Sequence, residues 1–159
     1  MIGPFSEIEE ENIEILEHEL IDNEIPYARM MRMYAEFLLA LISTKEVTQK
    51  LGLSSELTLV AQHLRTAVRS LGTEVSDELR RPLRVELIGL CGRVEKKQPA
   101  LAALTRCAVC CFSEEGGWEP DREEDATPIP RYLFLLKRFD ADIGMNFLLH
   151  ARSVLLAAR

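Results

Sequence analysis

Residues 26–43 read PYARMMRMYAEFLLALIS. Met30, Met31, Met33, Tyr34, Phe37, Leu38, Leu39, Leu41 and Ile42 leave this helical stretch apolar around most of its circumference. Such a helix is stable only when neighbours cover it on several sides. Pro26 suits the first turn, where a missing N–H costs nothing because no helical carbonyl would accept it. The segment therefore predicts a central helix over about 26–43, with the rest of the chain packed around it.

On its N-terminal side, Ser6 and Glu9 form a capping-box pair. Ile8, Ile13, Leu16 and Leu20 follow at roughly helical spacing, with acids on the other side. This predicts a helix over 7–22 that Asp22-Asn23 ends. On the C-terminal side, Ser43 with Glu46 reads as a second capping signature before a short helix over 45–51, stopped by Gly52. Ser54 or Ser55 caps the next helix, 56–71, which stops at Gly72. Ser76 starts another, which runs through Val85, Leu87, Ile88 and Leu90 to about Lys97, with Pro82 in its first turn or as a kink. Pro99 opens a helix over 99–113. Gly116-Gly117, Pro120, Pro128 and Pro130 make 114–130 a loop. An apolar helical pair, 131–139 and 141–158, follows, with Asp140 or Asp142 as cap.

No run of alternating β-branched residues is long enough for a strand, and no fixed-period repeat is present. The fold class expected is all-α: a compact multi-helix bundle of about seven helices, with no sheet. One domain over 1–159 is expected. It comprises an acidic helix (7–22), a helical middle (26–113), an acidic Gly/Pro loop (114–130) and a C-terminal helical pair (131–158).

The totals agree with this. The chain has 159 residues, 47% of them hydrophobic and 28% charged, which suits a single domain with an ordinary core. No apolar run approaches the roughly 18–20 residues of a membrane span, and the first residues lack the basic and apolar regions of a signal peptide. The expectation is a cytoplasmic protein with no membrane partner. Charge is uneven. Residues 1–25 hold nine acids and no Lys or Arg, a net of −9; residues 26–97 carry +4 and residues 98–159 carry −2. The total of −7 disfavours nucleic acid, but the middle taken alone does not.

The sharpest local pattern is STKEVTQKLGLSSELTLVAQHLRTAVRSLG, residues 43–72. It resembles the helix-turn-helix segment of LuxR-type DNA-binding domains. Lys45-Glu46-Val47 and Lys50-Leu51 resemble the first helix, Gly52-Leu53-Ser54 the turn, and Val60 to Leu64 with Arg69 to Gly72 the recognition helix. The resemblance implies a regulator that binds duplex DNA; a packaging adaptor that uses the same segment is the other form of this expectation. Independently of it, Thr58, Gln62, Arg65 and Arg69 stand at i, i+4, i+7 and i+11, on one helix face, and Arg and Gln are side chains that read base edges. The same pattern also describes two amphipathic helices joined by a capped turn, with their polar residues facing water.

Four cysteines are present, and Cys107, Cys110 and Cys111 share one helix face. Clustered in this way they do not form a disulfide framework. A tetrahedral metal site would need further ligands from Cys91, His18, His63 or His150. The alternative is core packing, since cysteine packs as a small hydrophobe. Trp118, in the acidic loop, reads either as a partner contact or as a plug over the core. No nucleophile elbow, P-loop or dinucleotide fingerprint occurs. No cofactor and no catalytic residue is therefore assigned. The functional expectation is a non-enzymatic adaptor or regulatory protein. Its partner is another protein or a second copy, the homodimer being suggested by Met30, Met31, Met33 and the last helix. Duplex DNA is the alternative partner.

Overall fold

The structure, a computed structural model, describes residues 5–52, 54–70, 77–112 and 127–157. Among these, the chain is all-helical: α1 (Glu7–Asp22), α2 (Tyr27–Ile42), α3 (Lys45–Leu51), α4 (Ser55–Ser70), α5 (Asp77–Val94), α6 (Pro99–Val109), a single 3₁₀ turn (Cys110–Phe112), α7 (Ile129–Phe139) and α8 (Gly144–Leu156). No described residue is in a strand. No helix among them is long and apolar enough to cross a membrane.

α2 is the central element. It packs on α4 and α8, and also touches α3, α6 and the 3₁₀ turn. Met31, Met33, Tyr34, Ala35 and Leu38 on it are almost wholly excluded from solvent. α1 lies on α8 and α7; α6 joins α5 to α7. One continuous core runs from Leu16 and Leu20 through α2 to Leu101, Leu104, Leu133 and Phe147.

The caps differ from expectation in three places. Ser43 does not cap α3: its hydroxyl donates to Leu39 O at 3.0 Å and so closes α2, while Thr44 Oγ1 accepts from Val47 N at 3.3 Å. Pro26 is the N-cap of α2, one residue outside the helix. Neither Asp140 nor Asp142 caps α8. Asp140 Oδ1 accepts from Asp142 N at 3.0 Å in a local turn, and α8 starts after Ile143 with no side-chain cap. Several bounds also shift, including the start of α8, at Gly144 rather than 141. α5 ends at Val94 rather than Lys97, α6 tightens into a 3₁₀ turn at Cys110, and α7 already includes Ile129 and Pro130, because proline is tolerated in a first turn. Ser76, Trp118 and residues 113–126, which include most of the loop expected over 114–130, lie outside the described residues.

The capping box at the start of α1 is present: Ser6 N donates to Glu9 Oε1 at 2.8 Å, and Glu9 N donates to Ser6 Oγ at 3.1 Å. Glu9 also does what the local pattern did not reveal. Its side chain is buried, and its carboxylate accepts from Lys137 Nζ of α7 at 2.5 Å. A Cβ built on Gly144, at the start of α8, would fall 1.7 Å from Glu9 Oε2. The carboxylate thus ties α1 to α7 and lies over the first turn of α8, where the helix dipole favours an anion.

Candidate functional site

The outer surface of α4 and α5 is where the fold leaves side chains without internal work. On α4, Leu57, Val60, Ala61, Leu64 and Ala67 are buried, mainly against α2. Thr58, Gln62, Arg65 and Arg69 all face solvent on the opposite side. The four residues singled out for base contact therefore share one exposed face. Arg69 Nη2 reaches only Thr66 Oγ1, at 3.5 Å. The partner helix of the motif is arranged less simply. α3 buries Val47 and packs on α2, and α4 is seated on α2 rather than on α3.

α5 has two apolar faces. Leu87, Leu90, Cys91 and Val94 stand at i, i+3, i+4 and i+7 and are buried, mainly against α6. On the opposite side Val85, Ile88, Gly89 and Gly92 stand at the same four spacings and are exposed, Val85 by 64% and Ile88 by 51%. Neither glycine is there to relieve crowding. A Cβ on Gly92 would meet nothing within 4 Å, and one on Gly89 only Arg93 Nη1, at an ordinary 3.5 Å. Each costs the helix about 1 kcal/mol relative to alanine, with no return in the packing of this chain. Arg84, Arg93, Lys96 and Lys97 lie around this face or just beyond it, exposed and in no ion pair among the described residues.

Between the start of α4 and the end of α5 runs a groove of about 540 Å³. Leu59, Leu90 and Val94 supply its apolar wall, and Glu56, Arg93 and Lys97 its charged rim. Midway along α4 and outside the groove, His63 is buried, with Nε2 3.3 Å from Glu86 Oε2 of α5.

The cysteine cluster is inside. Cys107, Cys110 and Cys111 are buried next to Tyr34, Tyr132 and Phe112. Burial pushes the Cys107 thiol up to about 12 and raises Cys110 and Cys111, although the Arg131 guanidinium partly opposes this at Cys110. Thiols held protonated are poor nucleophiles and poor metal ligands. Among the described residues no group of three His, Cys, Asp or Glu side chains converges as a metal site.

The Tyr34 and Tyr132 rings stack at 4.0 Å between centroids with 5° between planes, and both hydroxyls are buried without a well-formed hydrogen bond, that of Tyr34 beside Cys107 and that of Tyr132 beside Tyr27. Burial raises both phenols well above the ordinary tyrosine value.

The surfaces that suggested a homodimer are elsewhere engaged. Met30, Met31 and Met33 are buried beneath α4, α8 and the other helices around α2, as are Phe147, Leu148 and Leu155 of α8. Among the described residues, the large apolar side chains left exposed are Val85 and Ile88 on α5, Ile8, Ile15 and Ile21 on α1, Phe134 on α7 and Leu149 on α8. Sequence reasoning ran this helix through Val85, Leu87, Ile88 and Leu90 without separating its two apolar faces; the structure buries the one made by Leu87, Leu90, Cys91 and Val94. Trp118, the other candidate contact, lies outside the described residues. Set against protein-family models, curated proteins and solved structures, the chain has no match in any of the three.

Proposed function

We propose that this chain is a non-enzymatic helical adaptor or regulatory protein that acts by binding another protein, and that the outer face of α5 is its principal contact. The observation that carries the reading is the exposed Val85–Ile88–Gly89–Gly92 face with its flanking cations. Exposed apolar side chains beside two glycines that no internal contact needs fit a surface that another backbone approaches closely. The groove beside Leu59, Leu90 and Val94 extends it.

A photo-crosslinking amino acid at position 88, in the chain's own cell, tests this. A discrete protein adduct is expected, and it should vanish in a Val85→Asp background. That substitution should leave the melting temperature within about 2 °C, as exposed changes do, while binding weakens roughly thirtyfold or more. No adduct above that from an exposed control position would sink the reading.

Duplex DNA is a second reading, favoured by the single exposed face of Thr58, Gln62, Arg65 and Arg69. Binding at low salt that drops about tenfold in Arg65→Ala with Arg69→Ala, and flattens in its salt dependence, would support it. No gel shift of duplex DNA at low salt would remove it.

A further inference from the structure

The unpartnered face of α5 has a counterpart on the same molecule. Val85, Ile88, Gly89 and Gly92 stand at i, i+3, i+4 and i+7, the four corners of a hole in knobs-into-holes packing. The glycines remove two of the four side chains that would limit how deeply a knob enters. Around this hole lie Arg84, Arg93 and Lys96. An occupant should therefore be a helix that presents a branched aliphatic knob among acids.

α1 is such a helix. Its inner side buries Ile13, Leu16 and Leu20 on α8 and α7, but Ile8 is 62% exposed and Ile15 43% exposed, one heptad apart. Glu11 lies next to them, with Glu7 and Glu14 along the same edge of the face and Glu10 further round, all exposed and in no ion pair among the described residues. Glu7 with Glu11 and Glu10 with Glu14 are like charges at i, i+4, which weaken a helix that stands alone. α1 spans 16 residues and α5 18, so the two are matched in length. Within one molecule the two faces cannot meet. α1 sits on α8 and α7, and α5 on α6 and α4.

Resting on the protein-binding reading above, we propose that the partner at α5 is a second copy of this chain, which inserts Ile15 of its α1 into the Val85–Ile88–Gly89–Gly92 hole. Glu11 and Glu14 of one copy then face Arg84, Arg93 and Lys96 of the other. The contact joins two different surfaces. It either closes reciprocally, with two such contacts per dimer, or propagates.

Sedimentation of the full chain over roughly 1–200 μM tests this. Association is expected, weakening several-fold between about 0.1 and 0.5 M NaCl as exposed charges are screened. Glu11→Lys with Glu14→Lys makes α1 basic beside a basic α5; Arg84→Glu with Arg93→Glu makes α5 acidic beside an acidic α1. Each variant alone should be monomeric, and an equal mixture should associate as the parent does. Restoration on mixing also establishes that both variants fold. Gly92→Gln, which fills the hole with a good helix former, should weaken association at least tenfold. At concentrations where the chain is monomeric, it should raise the melting temperature by about 2–4 °C.

A parent chain monomeric at every concentration overturns the inference, as does association unchanged in both charge variants or not restored by mixing them. The adduct at position 88 separates this from the broader reading. An adduct with a different protein, or with residues 113–126 of the same chain, ends self-association. The different protein leaves protein binding standing, and the absence of any adduct ends both.

Discussion

Lys137→Ala should cost about 3–5 kcal/mol of stability, the size expected when one member of a buried ion pair is removed and the other is left without its counter-charge. Glu9 is the member left behind. It is only 6% exposed, and its carboxylate accepts from Ser6 N at 2.8 Å as well as from Lys137 at 2.5 Å. Burial by itself raises the Glu9 carboxyl, but the bonds and charge of Lys137 and the bonds to Ser6 outweigh it, and the net shift is below the ordinary 4.5. The sign for stability follows. A carboxyl with a lowered native value contributes fully above its unfolded value and loses that contribution as pH falls through the native one. The stability gap between parent and Glu9→Gln should therefore be flat above about pH 5.5 and close below about pH 4. A gap that persists undiminished at pH 2.5 in urea melts would show that packing, not charge, holds the three helices.

Gly144 belongs to the same junction. Alanine there would place Cβ 1.7 Å from Glu9 Oε2 and 2.7 Å from its Cδ, and the carboxylate is held in place by Ser6 and Lys137. Gly144→Ala should therefore also destabilise the chain by a few kcal/mol, although alanine is the better helix former. In Glu9→Ala the obstacle is gone, so Gly144→Ala should then cost little. The two losses should be strongly non-additive in a double-mutant cycle.

What was legible in the sequence was the local periodicity. α2 declared itself because Met30 to Ile42 leaves it no face fit for solvent, and α4 because Leu57, Val60, Ala61 and Leu64 fall opposite Thr58, Gln62 and Arg65. What was not legible depended on partners distant along the chain. Glu9 looked like one of nine acids on a solvated face, and only Lys137, 128 positions away, accounts for its burial. α5 offered two equivalent stripes, and α6 decides which one turns inward. Ser43 and Thr44 both suited a cap, and the end of α2 claims the first. The local cap and period rules worked wherever a single helix settles the matter. They failed where two helices compete for one residue or one face.

Tyr34→Ala should rank with the Lys137 loss, at about 3–5 kcal/mol, since it opens an aromatic-sized cavity in a close-packed core. Tyr34 is wholly buried on α2. It stacks on Tyr132 of α7 at 4.0 Å and meets Phe147 of α8 edge-on at 6.1 Å with 81° between planes. Three helices lose contact at once, and a melting-temperature drop of about 10 °C is expected. Tyr34→Phe should behave in the opposite sense. Its hydroxyl is buried with only the weakly bonding Cys107 thiol beside it and no well-formed hydrogen bond, and burying such a group costs about 1–3 kcal/mol. Phenylalanine keeps the stack and removes the unsatisfied group, so stability should hold or rise by up to about 1 kcal/mol. Tyr132→Phe should do the same, because its hydroxyl has only the Tyr27 phenol beside it and makes no well-formed hydrogen bond. Thermal melts of the two single variants and the double would decide the point. A loss of more than about 1 kcal/mol in Tyr34→Phe would mean that the hydroxyl is bonded in solution. The cysteine–tyrosine cluster would then be a polar network and not the apolar centre around which the helices pack.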